Sequence, residues 1–265
     1  VEDCLQTELT NKFYSGCATG ILNAPEPEFN PTVDEMVKYN YGAKDHRTLK
    51  AKNKLYLQKI LDLEQDENAV LFFWPSRLDP VQKGCQLLAQ IMYDMVDRYW
   101  DANLQIVSVA SGEYERHFHD IVRQHGLGRR IAICGFNEAL SHQAFASSDF
   151  LLMPSSFEPC GLPQMIGGIY GTLPIVHDTG GLHDTISQVD VMRGTGNGFL
   201  FNVHDAQGLN WAVDKAMAFH FLDPSVKETQ ISRIMIESML EFNHSRCAQD
   251  YINLYGKMLK RPFLV

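Results

Sequence analysis

From Ala69 onward the chain sets short apolar runs against longer stretches of mixed polarity. AVLFFW, LQIVSVA, RIAIC, DFLLM and LPIVH are β-prone and largely apolar rather than alternating. That is the pattern of strands covered on both faces. Between them KGCQLLAQIMYDMVDRYW, EYERHFHDIVRQHG, EALSHQAFA, PQMIGGIYG and GLHDTISQV read as helices. Strands alternating with helices predict an α/β domain over residues 66–265, a doubly wound parallel sheet (Rossmann-like). GFLF at Gly198–Phe201 adds a sixth strand. Three helices close the chain, the last from Ser245 to about Lys260 with Ala248, Tyr251, Tyr255 and Met258 at helical spacing.

Residues 1–65 have another texture and read as an N-terminal extended and helical interdomain segment. Pro25, Pro27 and Pro31, with Asn23 and Asn30, predict an extended, helix-averse stretch. A polar helix follows from about Asp45 to Leu63, with Leu49, Leu57, Ile60 and Leu61 facing inward. Val1 stands where an initiator Met would, and the chain is expected to enter partway into something longer.

Composition narrows the partners. Of 265 residues 45% are hydrophobic and 21% charged, enough for a sizeable core. The net charge of -9 argues against nucleic acid and against an anionic membrane surface, both of which select basic proteins. No apolar run approaches the roughly 20 residues that span a bilayer. Cys4, Cys17, Cys85, Cys134, Cys160 and Cys247 show no close pairing, which predicts reduced, mostly buried thiols. The histidines are scattered: His117 and His119 fall on an exposed helix, and His142 and His204 have no neighbour of their kind. No metal and no cofactor are expected.

Ligands of open parallel sheets sit at the carboxyl ends of strands, beside helix starts. Three stretches fall there. PSRLDPVQKG follows the first strand and offers Arg77 and Lys83, two cations suited to a diphosphate or, on the plainer view, a solvated loop. VASGEYE follows the second, where Gly112 permits a close backbone approach or simply turns the chain. PSSFEPCGLPQ follows the fourth and leads into a helix with Pro163 near its first position. The free N–H groups of such a start attract anions. Glu158 lies one turn before it, either as a cap on those N–H groups or as an acceptor for the hydroxyls of a sugar. Gly180 and Gly181 open the next helix in the same way.

The order RL…QKG, SSFEPCGLPQ, YGTLPIV…TGGL.DTI and NGFLF closely resembles the bacterial glycogen synthase and plant starch synthase family, from about Gly20 to Tyr255. The resemblance implies the C-terminal, nucleotide-sugar-binding domain of a GT-B fold, whose partner is an N-terminal GT-B domain of the same protein. It implies a retaining transfer of glucose from ADP-glucose to an α-1,4-glucan acceptor, in bacterial cytoplasm or plastid stroma, with this half inactive by itself. Carried over by position, Arg77 and Lys83 hold the diphosphate and stabilise departing ADP. Glu158 faces the glucose hydroxyls and the charge that develops at the anomeric centre. Cys160, Gly161 and Leu162 line the sugar–phosphate pocket, beside Gly112, Gly180 and Gly181. Phe136 takes the place of the family's tyrosine against adenine, and Asn23 matches the asparagine of the family's GI-x-N-G.

Several positions depart from the family. RLDPVQKG has one residue more than RL-x-x-QKG, which raises the question of where Lys83 is set. Ala24-Pro25-Glu26 replaces GID, Pro163 a common threonine, and Asn243-His244 a Ser-Trp pair, while His177 stands where a basic residue usually precedes TGGL. Two other readings stay open: a GT-B glucosyltransferase using UDP-glucose or another acceptor, and a non-catalytic module that binds glucan or nucleotide sugar.

Overall fold

Consecutive residues of a strand point to opposite faces, so an unbroken apolar strand needs cover on both. In the computed structural model, which describes residues 3–260, that cover is complete over the central strands and partial toward the edges of the sheet. In chain order the elements are α1 (Asp3–Tyr14), α2 (His46–Ile60), β1 (Leu71–Trp74), α3 (Cys85–Arg98), β2 (Gln105–Val109), α4 (Glu115–Gln124), β3 (Ile131–Cys134), α5 (Glu138–Ser147), β4 (Phe150–Met153), α6 (Pro163–Tyr170), β5 (Leu173–His177), α7 (Gly180–Thr185), β6 (Phe199–Phe201), α8 (Ala206–His220), α9 (Pro224–Glu241) and α10 (His244–Leu259). Each strand read from the sequence is present. Phe72 and Trp74 of β1 join a core with Leu88, Met92 and Met95 of α3 and Leu209 and Val213 of α8. Leu71 and Phe73 face the other way, onto Leu57 of α2, Phe145 of α5 and Ile166 and Ile169 of α6.

The strand order is β3-β2-β1-β4-β5-β6, and every pairing is parallel. From β1 the chain winds outward to β2 and β3, then returns to lay β4 on the other side of β1. The gap above β1 and β4 is therefore the switch point, where doubly wound sheets open a crevice.

The segment before β1 packs on this domain, since Val37, Tyr41, Leu57 and Leu63 belong to the core beneath α5 and α6. Its helix departs from the expected orientation. Ile60 is exposed and Leu49 and Leu61 are only partly buried, while the buried face carries His46, Lys50, Asn53, Lys54, Leu57 and Gln58. Long polar side chains win these positions because they meet open backbone groups at the amino ends of the strands. Lys54 Nζ donates to the Ala69 carbonyl at 2.6 Å and to Asp149 Oδ2 at 2.7 Å, and Leu71 N donates to that same carboxylate oxygen at 2.8 Å. Lys50 Nζ donates to the Tyr170 carbonyl at 3.0 Å and to Thr172 Oγ1 at 2.9 Å.

Two further corrections concern the chain ends and the thiols. α10 buries none of its residues, so Tyr251, Tyr255 and Met258 keep helical spacing on an exposed face. Helix α1, which the sequence reading did not separate from the extended segment, exposes Leu5, Leu9, Phe13 and Tyr14. The cysteines with described side chains are all free, but only Cys85 is buried; Cys17 is exposed and Cys134, Cys160 and Cys247 are partly covered. The side chain of Cys4 lies outside the described residues.

Candidate active site

The loop after β1 is shaped by Asp79. Its carboxylate accepts from Val81 N at 2.8 Å and Gln82 N at 3.2 Å, and those two N–H groups hold its pKa below the ordinary value. This tight turn absorbs the additional residue of the RLDPVQKG loop by turning Val81 out to solvent. Gly84 then starts α3 with φ of +70°, and a Cβ there would lie 2.0 Å from the Pro154 carbonyl oxygen. Only glycine lets α3 press so closely on the loop that leaves β4.

That approach brings Lys83 to Glu158. The ammonium and carboxylate stand 2.5 Å apart, with side-chain exposures of 13% and 9%. Ser155 Oγ donates to the same carboxylate oxygen at 3.4 Å. Glu158 is thus a buried anion held by one cation and one hydroxyl. It does not cap α6, because none of that helix's N–H groups donates to its carboxylate.

The loop that carries Glu158 is tied on both sides. Toward β1, Ser156 N donates to the Gln82 carbonyl at 2.8 Å, Ser156 Oγ to the Val81 carbonyl at 3.0 Å, and Gln82 Nε2 to the Phe157 carbonyl at 3.2 Å. Toward β5, Gly181 N donates to the Glu158 carbonyl at 2.8 Å. A Cβ on Gly180 would lie 2.2 Å from that oxygen, and one on Gly181 would lie 2.0 Å from the Cys160 carbonyl oxygen. The two glycines therefore have a packing reason as well as the ligand role expected of them. Beneath, buried Gln164 donates through Nε2 to the Cys160 and Gly161 carbonyls at 3.0 and 2.7 Å and to Thr185 Oγ1 at 3.1 Å.

The other expected residues fall into two groups. Arg77 is exposed on the same loop as Lys83, with its guanidinium 3.5 Å from Gln82 Oε1. Gly112 packs against the Leu78 backbone, where a Cβ would sit 2.6 Å from the carbonyl oxygen. Its neighbour Ser111 accepts from Phe136 N at 3.0 Å through Oγ, so the loops after β1, β2 and β3 form one rim. Phe136 is 73% exposed on that rim. Cys160 and Gly161 are partly buried and Leu162 is exposed at the entry to α6. Asn23 is the one not brought in: it is exposed and hydrogen-bonds none of these residues among those described.

Sequence reasoning passed over Ser155, Gln82 and Gln164 and noted His177 and His204 only in passing. Each grips a backbone carbonyl or a carboxylate that the folded loops bring within reach, and such a partner leaves no motif. His177 Nδ1 lies 2.9 Å from the Ser155 carbonyl oxygen and His204 Nε2 lies 2.9 Å from that of Pro154. Burial lowers the His177 pKa from its ordinary value, with the Ser155 carbonyl opposing and His204 reinforcing the shift.

Three comparisons bear on this arrangement. Residues 58–220, more than half of the chain, match the family of glycosyl transferases group 1. The glycogen synthase of Bacillus cereus (strain ATCC 10987 / NRS 248) is 35% identical over 248 residues, 93% of this chain and 50% of that protein. The glycogen synthase of Desulforudis audaxviator is 36% identical over 246 residues, 91% of this chain and 47% of that protein. Among solved structures, the catalytic domain of starch synthase IV from Arabidopsis thaliana bound to ADP and acarbose superposes with a TM-score of 0.83 at 32% identity, covering 97% of this chain and 52% of that one. The chain thus spans about half the length of the relatives it matches.

Proposed function

The chain belongs to the group 1 glycosyl transferases, and from that premise we propose that it is the donor-binding half of a glycogen or starch synthase. The whole enzyme transfers glucose from ADP-glucose to the non-reducing end of an α-1,4-glucan, with retention, across a cleft closed by an N-terminal GT-B domain. The observation that carries this reading is the buried Lys83–Glu158 pair at the switch point. A buried ion pair is a weak source of stability, since desolvation offsets most of the attraction. Its value here lies in what a ligand does to it.

The donor diphosphate competes for Lys83 and draws Arg77 in as a second cation. Glu158, relieved of its partner, then faces the glucose, accepts hydrogen bonds from its hydroxyls and stabilises the positive charge that builds at the anomeric carbon. Pre-positioned charge of this kind is often the largest catalytic contribution. The two cations stabilise ADP as it leaves, and Phe136 stacks on the adenine. ADP in the starch synthase IV structure supports an adenine nucleotide in this role. Among the described residues no helix is long and apolar enough to cross a membrane, and the compartment we assign is bacterial cytoplasm or plastid stroma.

The test is steady-state transfer by the full-length enzyme. Glu158→Gln keeps size and some hydrogen bonding but removes the charge. It should lower kcat about a hundredfold, roughly 3 kcal/mol of transition-state stabilisation, while ADP binds at least as tightly as to the parent, since Lys83 no longer has a carboxylate to leave. Near-normal kcat in this variant would leave Glu158 only a structural partner of Lys83. A parallel assay with UDP-glucose, expected to be slower, decides the donor.

A further inference from the structure

The Glu158 loop is held toward β1 by Ser156 and Gln82 and toward β5 by two imidazoles. The carbonyls of Pro154 and Ser155, the first two after β4, accept from His204 Nε2 and His177 Nδ1, each at 2.9 Å. The two rings stand 4.7 Å apart between centroids, and His177 also packs on buried Phe201 at 5.4 Å. Carbonyl oxygens only accept, so each facing nitrogen must carry the hydrogen. The hydrogen that faces the loop is therefore Nδ1–H on His177 and Nε2–H on His204. Ser155 is also the residue whose hydroxyl reaches Glu158, so displacement of its backbone moves the carboxylate's second partner as well.

We propose that His177 and His204 are a positioning pair for transfer, two imidazoles that grip successive carbonyls and thereby set Glu158 against the reacting sugar. The inference rests on the functional reading above. Neither ring touches the Lys83–Glu158 pair; they act through the backbone that bears Glu158. Donor affinity depends on Arg77, Lys83 and Phe136, which sit on the loops after β1 and β3. Loss of an imidazole donor therefore bears on turnover more than on donor binding. Both rings bonding to one short loop is also the reason His177 differs from a mere basic residue at this position: a long flexible cation does not supply a fixed donor at that place.

The test pairs removal with replacement in the full-length enzyme. Asn presents its amide nitrogen where Nδ1 lies, and Gln presents its own where Nε2 lies. His177→Leu and His204→Leu are expected to lower kcat about tenfold or more, the scale on which small misplacements act, with KM for ADP-glucose within about threefold. His177→Asn and His204→Gln are expected to recover most of the loss. A kcat for the Leu variants equal to the parent's overturns the proposal, and so does an Asn or Gln variant as slow as its Leu counterpart. The ring nitrogens are read independently by ¹⁵N NMR at neutral pH, where Nδ1–H on His177 and Nε2–H on His204 are expected and either opposite tautomer overturns the pair. If the parent enzyme itself fails to elongate glucan, the functional reading falls, and the NMR arm still decides this one.

Discussion

At the scale of single residues, the pairing of Lys83 with Glu158 makes two simple predictions. Taking away one member of a buried pair costs more than the pair contributes, because the survivor is left charged and uncompensated. Lys83→Ala should therefore destabilise the protein by about 3 kcal/mol, and Glu158→Gln added on top should restore a large part of it. Denaturant unfolding of both variants checks this; if the double variant is no more stable than the single, the carboxylate is not the group that suffers. The second concerns Phe136, which the fold displays rather than buries. Phe136→Ala should weaken ADP by about 1–3 kcal/mol, the range for bases stacked on aromatic side chains, whereas Phe136→Tyr should bind like the parent. Calorimetry that finds equal affinity for the Ala variant removes Phe136 from the nucleotide site. The polar residues of this region were legible in the sequence where they follow a strand and precede a helix, as Arg77, Lys83 and Glu158 do. Their supports were not. Gln164 and His204 bond to carbonyls, and Ser155 to the Glu158 carboxylate, at positions that only the folded backbone defines.

At the scale of elements, strands were easier to read than the helix that braces them. Continuous apolar runs have one solution in a parallel sheet, and β1 to β6 follow them closely. Helix α2 was misread because its apolar residues were assumed to mark the inner face. Lys50 and Lys54 lie inside instead, spanning to backbone groups at the sheet's amino edge, and Ile60 is left outside. This arrangement has a pH signature. Burial pushes the Lys50 pKa from 10.5 down to about 7, with Asp149 opposing and Lys54 adding to the shift. Between those values the folded state holds less of this proton than the unfolded state does. Stability should thus rise with pH across that window, with the full penalty of charging Lys50 present below pH 7. Lys50→Met should flatten the slope by up to one proton, about 1.4 kcal/mol per pH unit. Identical slopes for parent and variant, measured by denaturant unfolding from pH 7 to 10, would place Lys50's titration elsewhere.

At the scale of the whole molecule, the proposed function makes this chain one wall of a cleft. It matches about half the length of the glycogen synthases it is similar to, and transfer needs donor and acceptor held together away from water. Residues 1–265 alone should bind ADP, more weakly as salt is added because the contacts are ionic, and should not elongate a glucan. Calorimetry and a radiolabelled transfer assay give the two readings, and elongation by the chain alone would place the acceptor site within it. The apolar faces of α1 and α10 are a whole-molecule feature that periodicity alone could not interpret. The spacing announces an amphipathic helix but does not say whether its partner lies in the same domain.

The switch point also governs how the site comes into being. Lys83 and Glu158 are 75 residues apart in the chain, and they meet only when β4 docks against β1, with the whole β2 and β3 units lying between them in sequence. Bringing such distant segments together costs loop-closure entropy before any contact repays it, and parallel pairing of this kind is slow. The Lys83–Glu158 pair is therefore a late acquisition during folding, absent from any intermediate that has built only the first half of the sheet. In refolding experiments on the full-length enzyme, glucose transfer should return with the slowest phase, later than the bulk of the helical signal. A chain caught partly folded would thus lack the poised carboxylate that the proposed reaction needs until the final strands are in place.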